Sequence, residues 1–158
     1  MPLTLPVLSP ATAGTVVALG YPPAELAEEL GWPELVDQMW AVLDALPPDE
    51  RATATVLTRS YGEAAALELL GPGRGVPAGT LLSGHNSYAN WWPDDRPVGT
   101  VVALGYPPAE LARYFARCEQ VGRVESPAPT KAAGRPIVVC RGLRIGPTEL
   151  RAALRRAA

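Results

Sequence analysis

Four short polar segments in this chain each follow an apolar or β-branched run. They are "RSYGEA" after "TVLT", "GHNSYANWW" after "TLLS", "GYPPAE" after "VVAL" and "RGLR" after "IVVC". Among them they carry the carboxylate of Glu63, the imidazole of His85, the amide of Asn86 and the guanidinium of Arg141. They also carry the rings of Tyr61, Tyr88, Trp91, Trp92 and Tyr106. Flat rings cover the apolar faces of a sugar, while amide, carboxylate and guanidinium groups satisfy its hydroxyls or a phosphate. The chemistry expected of this set is grip on a polyhydroxylated ligand.

Bond-breaking chemistry has less to stand on. The sequence holds no G-x-G-x-x-G and no Walker loop, since "GPGRGVPAG" lacks the GK[ST] ending. It holds no G-x-S-x-G elbow. His85 is the single histidine, so any Ser–His–acid triad would have to use it. Cys118 and Cys140 fit no zinc spacing, so no metal or cofactor site is expected. Each residue also has a purely structural reading. His85 can tie a loop to backbone carbonyls, and Glu63 suits the first turn of a helix. Trp91 and Trp92 can cap the core beneath a loop, Arg141 can pair with a surface carboxylate, and Asp94–Asp95 can simply solvate a turn.

Something must bring the four segments together. After the Pro-rich lead-in "MPLTLPVLSPATA", Leu35, Val36, Met39, Trp40, Val42, Leu43 and Leu46 recur at helical spacing, with Pro33 in the first turn and Pro47–Pro48 as the stop. Short strands are predicted at Ala54–Thr58, in "TLLSG", at Thr100–Leu104, in "VGRVES" and in "RPIVVCRG". Helices are predicted in "YGEAAALELLG", closed by Gly71, at Pro107–Cys118 and in "TELRAALRR", while "HNSYANWWPDDRPV" shows little regular structure. Strands alternating with helices predict an α/β fold, a three-layer Rossmann-like sandwich with a mostly parallel sheet of about five strands. In such a sheet the segments leaving the strands share one rim, where ligands bind.

The sequence "GTVVALGYPPAELA" occurs twice, at Gly14–Ala27 and Gly99–Ala112, with all fourteen positions identical. Two undiverged copies and no others are unlike a repeat architecture. The second copy supplies a strand, a turn at Gly105–Tyr106 and a covering helix, so it is expected to be native to the fold and the first an insertion. A single domain over residues 14–158 follows, with residues 1–13 as lead-in. Two identical candidates for one slot in a sheet also invite a strand-exchanged homodimer.

The chain has 158 residues, enough for one proper core, and a formal net charge of −2, which gives no basic footprint for nucleic acid. Thirteen of its fourteen basic residues are Arg, which together with abundant Ala, Gly and Pro reflects GC-rich coding. No apolar run approaches the ~20 residues that span a bilayer, so this chain is expected to be soluble. Cys118 and Cys140 fit either two half-buried thiols or a disulfide formed outside the cytoplasm.

The ordered motifs "LGWPELV", "YGEAAALELLG", "SGHNSYANWWP", "GTVVALGYPPAELARYFARCEQVGRV" and "RPIVVCRG" resemble the soluble C-terminal region of bacterial family-39-type glycosyltransferases. These are polytopic membrane enzymes, related to protein mannosyltransferases and aminoarabinose transferases, that use polyprenyl-phosphate sugars; actinobacterial members are the most similar. The resemblance covers about Leu30 to Gly142. It implies an accessory domain on the extracytoplasmic face of the cell membrane, partnered with the transmembrane part of its parent and contacting sugar, polyprenyl-phosphate sugar or acceptor. The catalytic acid would lie in the membrane part, so the isolated chain would not transfer sugar. The first repeat copy departs from the family pattern and implies a chimera or an engineered sequence. Two other readings stand beside this one: a stand-alone carbohydrate-binding module, and an inactive folding or assembly design built around the duplicated segment.

Overall fold

Helix α1, Trp32–Asp44, forms where the apolar spacing puts Leu35, Val36, Met39, Trp40 and Leu43 on one buried face, with a proline and Glu34 in its first turn. Burying each of these aliphatic side chains contributes about 1.5–3 kcal/mol, more than intrinsic helix propensity can supply. The computed structural model describes residues 31–71, 80–92, 97–126 and 130–156. The lead-in, the first repeat copy, most of "GPGRGVPAG" and Asp94–Asp95 lie outside the described residues. Pro47 and Pro48 do end α1, and Pro48 then opens a short helix, α2, Pro48–Ala52.

Strand β1, Thr55–Thr58, is buried throughout. It leads through Arg59–Ser60 into α3, Tyr61–Leu70. Strand β2 is Leu81–Ser83, and a 3-10 turn over Asn86–Trp91 follows it. Strand β3, Val101–Leu104, is the strand of the second repeat copy, and α4 is Pro108–Leu111. Strands β4, Phe115–Arg123, and β5, Pro136–Leu143, precede the closing helix α5, Pro147–Leu154.

The five strands form one sheet in the order β2-β1-β3-β5-β4. Side chains alternate across it as strand geometry requires. Val56, Val102, Leu104, Ile137 and Val139 join α1 and Leu67 of α3 in one core. Leu57, Leu82, Val101, Ala103, Val138 and Cys140 join Trp92, Leu111, Leu150 and Leu154 in the other. The fold is therefore α/β, with helices on both faces of a five-stranded sheet.

The sheet is mixed, not mostly parallel. β1 pairs in parallel with β2 and β3, whereas β5 is antiparallel to both β3 and β4. The departure shows first in Pro107–Cys118, where the sequence predicts a crossover helix. Helix α4 lasts one turn, and the chain re-enters the sheet at Phe115. Leu111, Tyr114, Phe115 and Cys118 have helical spacing, but β5 offers an eight-residue strand to pair with, and that pairing wins. β4 nevertheless runs parallel to β3; the reversed strand is β5, which returns antiparallel to β4 and inserts between the two. "VGRVES" consequently supplies the end of β4 instead of a separate strand. Two smaller expectations also change. "HNSYANWW" contains a 3-10 turn, and Gly71 closes α3 at an ordinary φ of −94° instead of the left-handed cap.

Antiparallel pairing also settles the cysteines. Gly105 N–H donates to Pro136 C=O at 2.9 Å, so the even-numbered backbone groups of β5 serve β3. Cys140 and the directly opposite Cys118 then form a non-hydrogen-bonded pair, the closer kind in an antiparallel ladder, with Cα atoms 4.2 Å apart. They are disulfide-bonded.

Candidate functional site

The carboxyl ends of β1, β2 and β3 share one rim, and the first side chains beyond them are built into it. Thr58 Oγ donates to Ser60 C=O at 3.0 Å, shaping the exit from β1. Ser60 then caps α3 reciprocally. Its Oγ accepts from Glu63 N–H at 3.3 Å, and its own N–H donates to Glu63 Oε2 at 3.0 Å. The other oxygen of Glu63, which is 1% exposed, is paired with the Arg135 guanidinium. Both carboxylate oxygens are thus committed to holding the fold. Of the two sequence readings of Glu63, the structure has the helix-terminus one, strengthened by an ion pair.

His85 leaves β2 and turns toward α3. Its Nδ1 accepts from Tyr61 N–H at 3.3 Å, and the two rings sit 5.2 Å apart. An Nδ1 that accepts leaves the proton on Nε2. Burial lowers the His85 pKa, Arg156 lowers it further, and Glu63 opposes them. The imidazole is therefore neutral at pH 7 and offers a donor at Nε2. A histidine depressed on folding stabilises the fold above its unfolded value near 6.5. Stability is lost as pH falls from that value toward the folded pKa. Thermal melts from pH 7.5 to 5 should fall more in the wild type than in His85→Gln; parallel curves would refute the assignment.

Together with Trp32, Ala65, Leu69, Lys131 and Arg135, the residues Tyr61, Glu63 and His85 line an open cleft of about 600 Å3. Tyr61 offers half its ring there, at 52% exposed. The remaining expected residues are dispersed. Tyr88 donates to Glu68 at 2.9 Å and packs on Trp91, centroid to centroid 4.8 Å. Burial and Glu68 raise the Tyr88 pKa. Trp91 is 67% exposed, whereas Trp92 is 4% exposed in the second core. Asn86 takes a positive φ of 53°, and its N–H donates to Arg156 C=O at 3.0 Å.

Tyr106 is 2% exposed and lies beneath the Arg59 guanidinium, 5.1 Å from ring centroid to Cζ. Burial pushes its pKa up to about 12, and its hydroxyl has no hydrogen-bond partner among the described residues. An unsatisfied buried hydroxyl costs about 1–3 kcal/mol. Tyr106→Phe is therefore expected to raise the urea midpoint, and a lower midpoint would show that the hydroxyl is satisfied in solution.

Arg141 is misplaced by the sequence reading. Because β5 runs antiparallel, its carboxyl end lies at the opposite pole, where Arg141 pairs with Glu50 at 2.8 Å. Arg141 holds the Glu50 carboxyl below its usual range, assisted by Thr100. The surface-carboxylate reading of Arg141 is the one the structure has. The other end of β5 brings Arg135 to the rim in its place. Sequence reasoning missed Arg135, Arg59 and Arg156, although Arg59 sits beside Ser60 in a segment already marked as polar.

Among the described residues, no group of three His, Cys, Asp or Glu side chains could hold a metal ion, and no helix is long and apolar enough to cross a membrane. No protein-family model, curated protein or solved structure matches this chain.

Proposed function

We propose that this chain is an accessory recognition domain of a lipid-linked-sugar glycosyltransferase, contacting sugar or acceptor through the cleft beside α3 and not catalytic alone. The observation that carries the recognition role is the cleft itself. The Tyr61 ring, the neutral His85 imidazole and Lys131 face one volume large enough for a small sugar. Its one buried acid, Glu63, is held on both oxygens, which favours binding over proton transfer. The Cys118–Cys140 disulfide supports an extracytoplasmic setting, since such bonds persist where glutathione does not reduce them. The family assignment rests on the ordered motifs alone.

Titrating neutral mono- and oligosaccharides while following tryptophan fluorescence tests the reading, with Trp32 at the cleft wall as reporter. Saturable quenching that disappears in Tyr61→Ala is expected. Silence across the panel would remove the sugar role, and transfer from a polyprenyl-phosphate sugar by this chain alone would overturn the accessory role. A stand-alone carbohydrate-binding module is the second reading, favoured by the exposed Trp91 ring packed on Tyr88. Loss of binding in Trp91→Ala, with Tyr61→Ala unaffected, would select it.

A further inference from the structure

We propose that the crevice between the carboxyl ends of β1 and β3 binds a phosphate group, with Arg59, Arg135 and Arg156 as its cationic contacts. The inference rests on reading this rim as a recognition surface and names the chemistry it takes. The crevice is the point where the sheet's connections part. The chain leaving β1 runs into α3 over one core, while the chain leaving β3 runs into α4 over the other. Ligands in open α/β sheets bind where the connections part in this way.

The turn after β3 is made by Gly105, whose φ of +82° suits a residue without a side chain. A Cβ on Gly105 would lie 3.0 Å from Arg59 Cβ and 3.5 Å from Arg135 Cδ, so the two arginine stems flank it closely. Arg156 joins them by donating to the Arg59 carbonyl oxygen. Arg135 is itself held in place, its Nε donating to Lys131 C=O at 2.9 Å.

Two carboxylates face these three guanidiniums. Glu63 pairs with Arg135, and Glu110 pairs with Arg59 at 2.7 Å. Arg156 has no carboxylate partner among the described residues, and each of the three guanidiniums keeps nitrogens without a hydrogen bond there. A net positive edge on a chain of net charge −2 is a separation of charge that draws anions. Planar guanidinium forks match phosphate oxygens better than ammonium groups do. Arg59, with its Cζ over the Tyr106 ring, is already positioned. A phosphate bridging Arg59 and Arg156 would lie at the end of the cleft, where Arg135 belongs to both. A sugar phosphate could then span the two.

The probes are inorganic phosphate, a hexose 1-phosphate, the free hexose and vesicles containing phosphatidic acid, used with the full chain at fixed ionic strength and pH 7.5. Amide shifts of Tyr61, Gly62 and Gly105 and the titration of His85 are followed by NMR. Saturable shifts with phosphate and an upward move of the His85 pKa are expected, because an anion would offset the Arg156 charge. Losing one charged hydrogen bond should weaken phosphate binding about tenfold or more in Arg156→Gln. Arg59→Lys, which keeps the charge and loses the fork, should also bind more weakly. Arg117→Gln, on the far edge strand, should leave affinity unchanged. The vesicles separate a lipid headgroup from a soluble phosphate, and binding of either sustains the site. No saturable binding, or equal weakening in Arg117→Gln, would overturn it. Phosphate binding without hexose binding would remove the sugar reading and leave this site standing; the reverse pattern would remove this site alone.

Discussion

Replacing Arg135 by methionine should destabilise the domain by about 3–5 kcal/mol, the cost of leaving a buried charge without its partner. Glu63 is the charge in question. It is 1% exposed, one oxygen faces Arg135, and the Ser60 N–H on the other cannot neutralise it. Glu63→Gln is the informative contrast. Glutamine serves the capping box as well as glutamate does, and the Arg135 side chain left behind is 30% exposed and can turn to water. Its cost should therefore be smaller, about 1.5–3 kcal/mol for one lost charged hydrogen bond. The double variant should recover part of the Arg135→Met loss. Urea midpoints at constant slope would measure all three. Equal costs for the two single variants would mean that solvent already reaches Glu63. The helix start, the β5 entry and the cleft wall all meet at this pair, so its loss should also blur the site.

Most of the fold was legible because its signals are local. Prolines bracket α1, Ser60 and Glu63 stand three apart at the start of α3, and β-branched runs mark β1, β3 and β5. Two features were not, the start of β4 and the direction of β5. Tyr114, Phe115 and Cys118 satisfy both helical spacing and a half-buried edge strand. The decision between them is made by β5, more than twenty residues downstream, which no local pattern can see. Reading β5 as parallel to its neighbours, when it returns antiparallel to β4 and inserts between β3 and β4, made the sheet parallel. A parallel sheet in turn put Arg141 on the rim and hid Arg135, because reversing β5 exchanges its two ends.

The candidate site was legible to a similar depth. Residues that follow two of the three parallel strands, Tyr61, Glu63 and His85, do meet. Their roles were not fixed by type, because Glu63 spends its charge on Arg135 and Ser60 instead of facing solvent. Trp91 and Trp92 are adjacent and identical in kind, yet one is exposed and one is core. The alternation of a single turn decides that, and composition carries no information about it.

Removing the disulfide with Cys118→Ala and Cys140→Ala should cost about 3 kcal/mol on the loop-entropy estimate. The two cysteines are 22 residues apart, a loop long enough for the cross-link to restrict the unfolded chain appreciably. For a chain of this size that cost lowers the melting temperature by about 6–12 °C. The local consequence follows from where β4 lies. It is an edge strand, and Ala116, Arg117, Glu119, Gln120 and Val121 are exposed, so little besides Phe115 and the bridge pins it to the core. Amide exchange in β4 should accelerate well before that in β1 and β3. Treating the wild type with dithiothreitol should reproduce both effects, and an unchanged melt after verified reduction would show that pairing with β5 alone holds the strand.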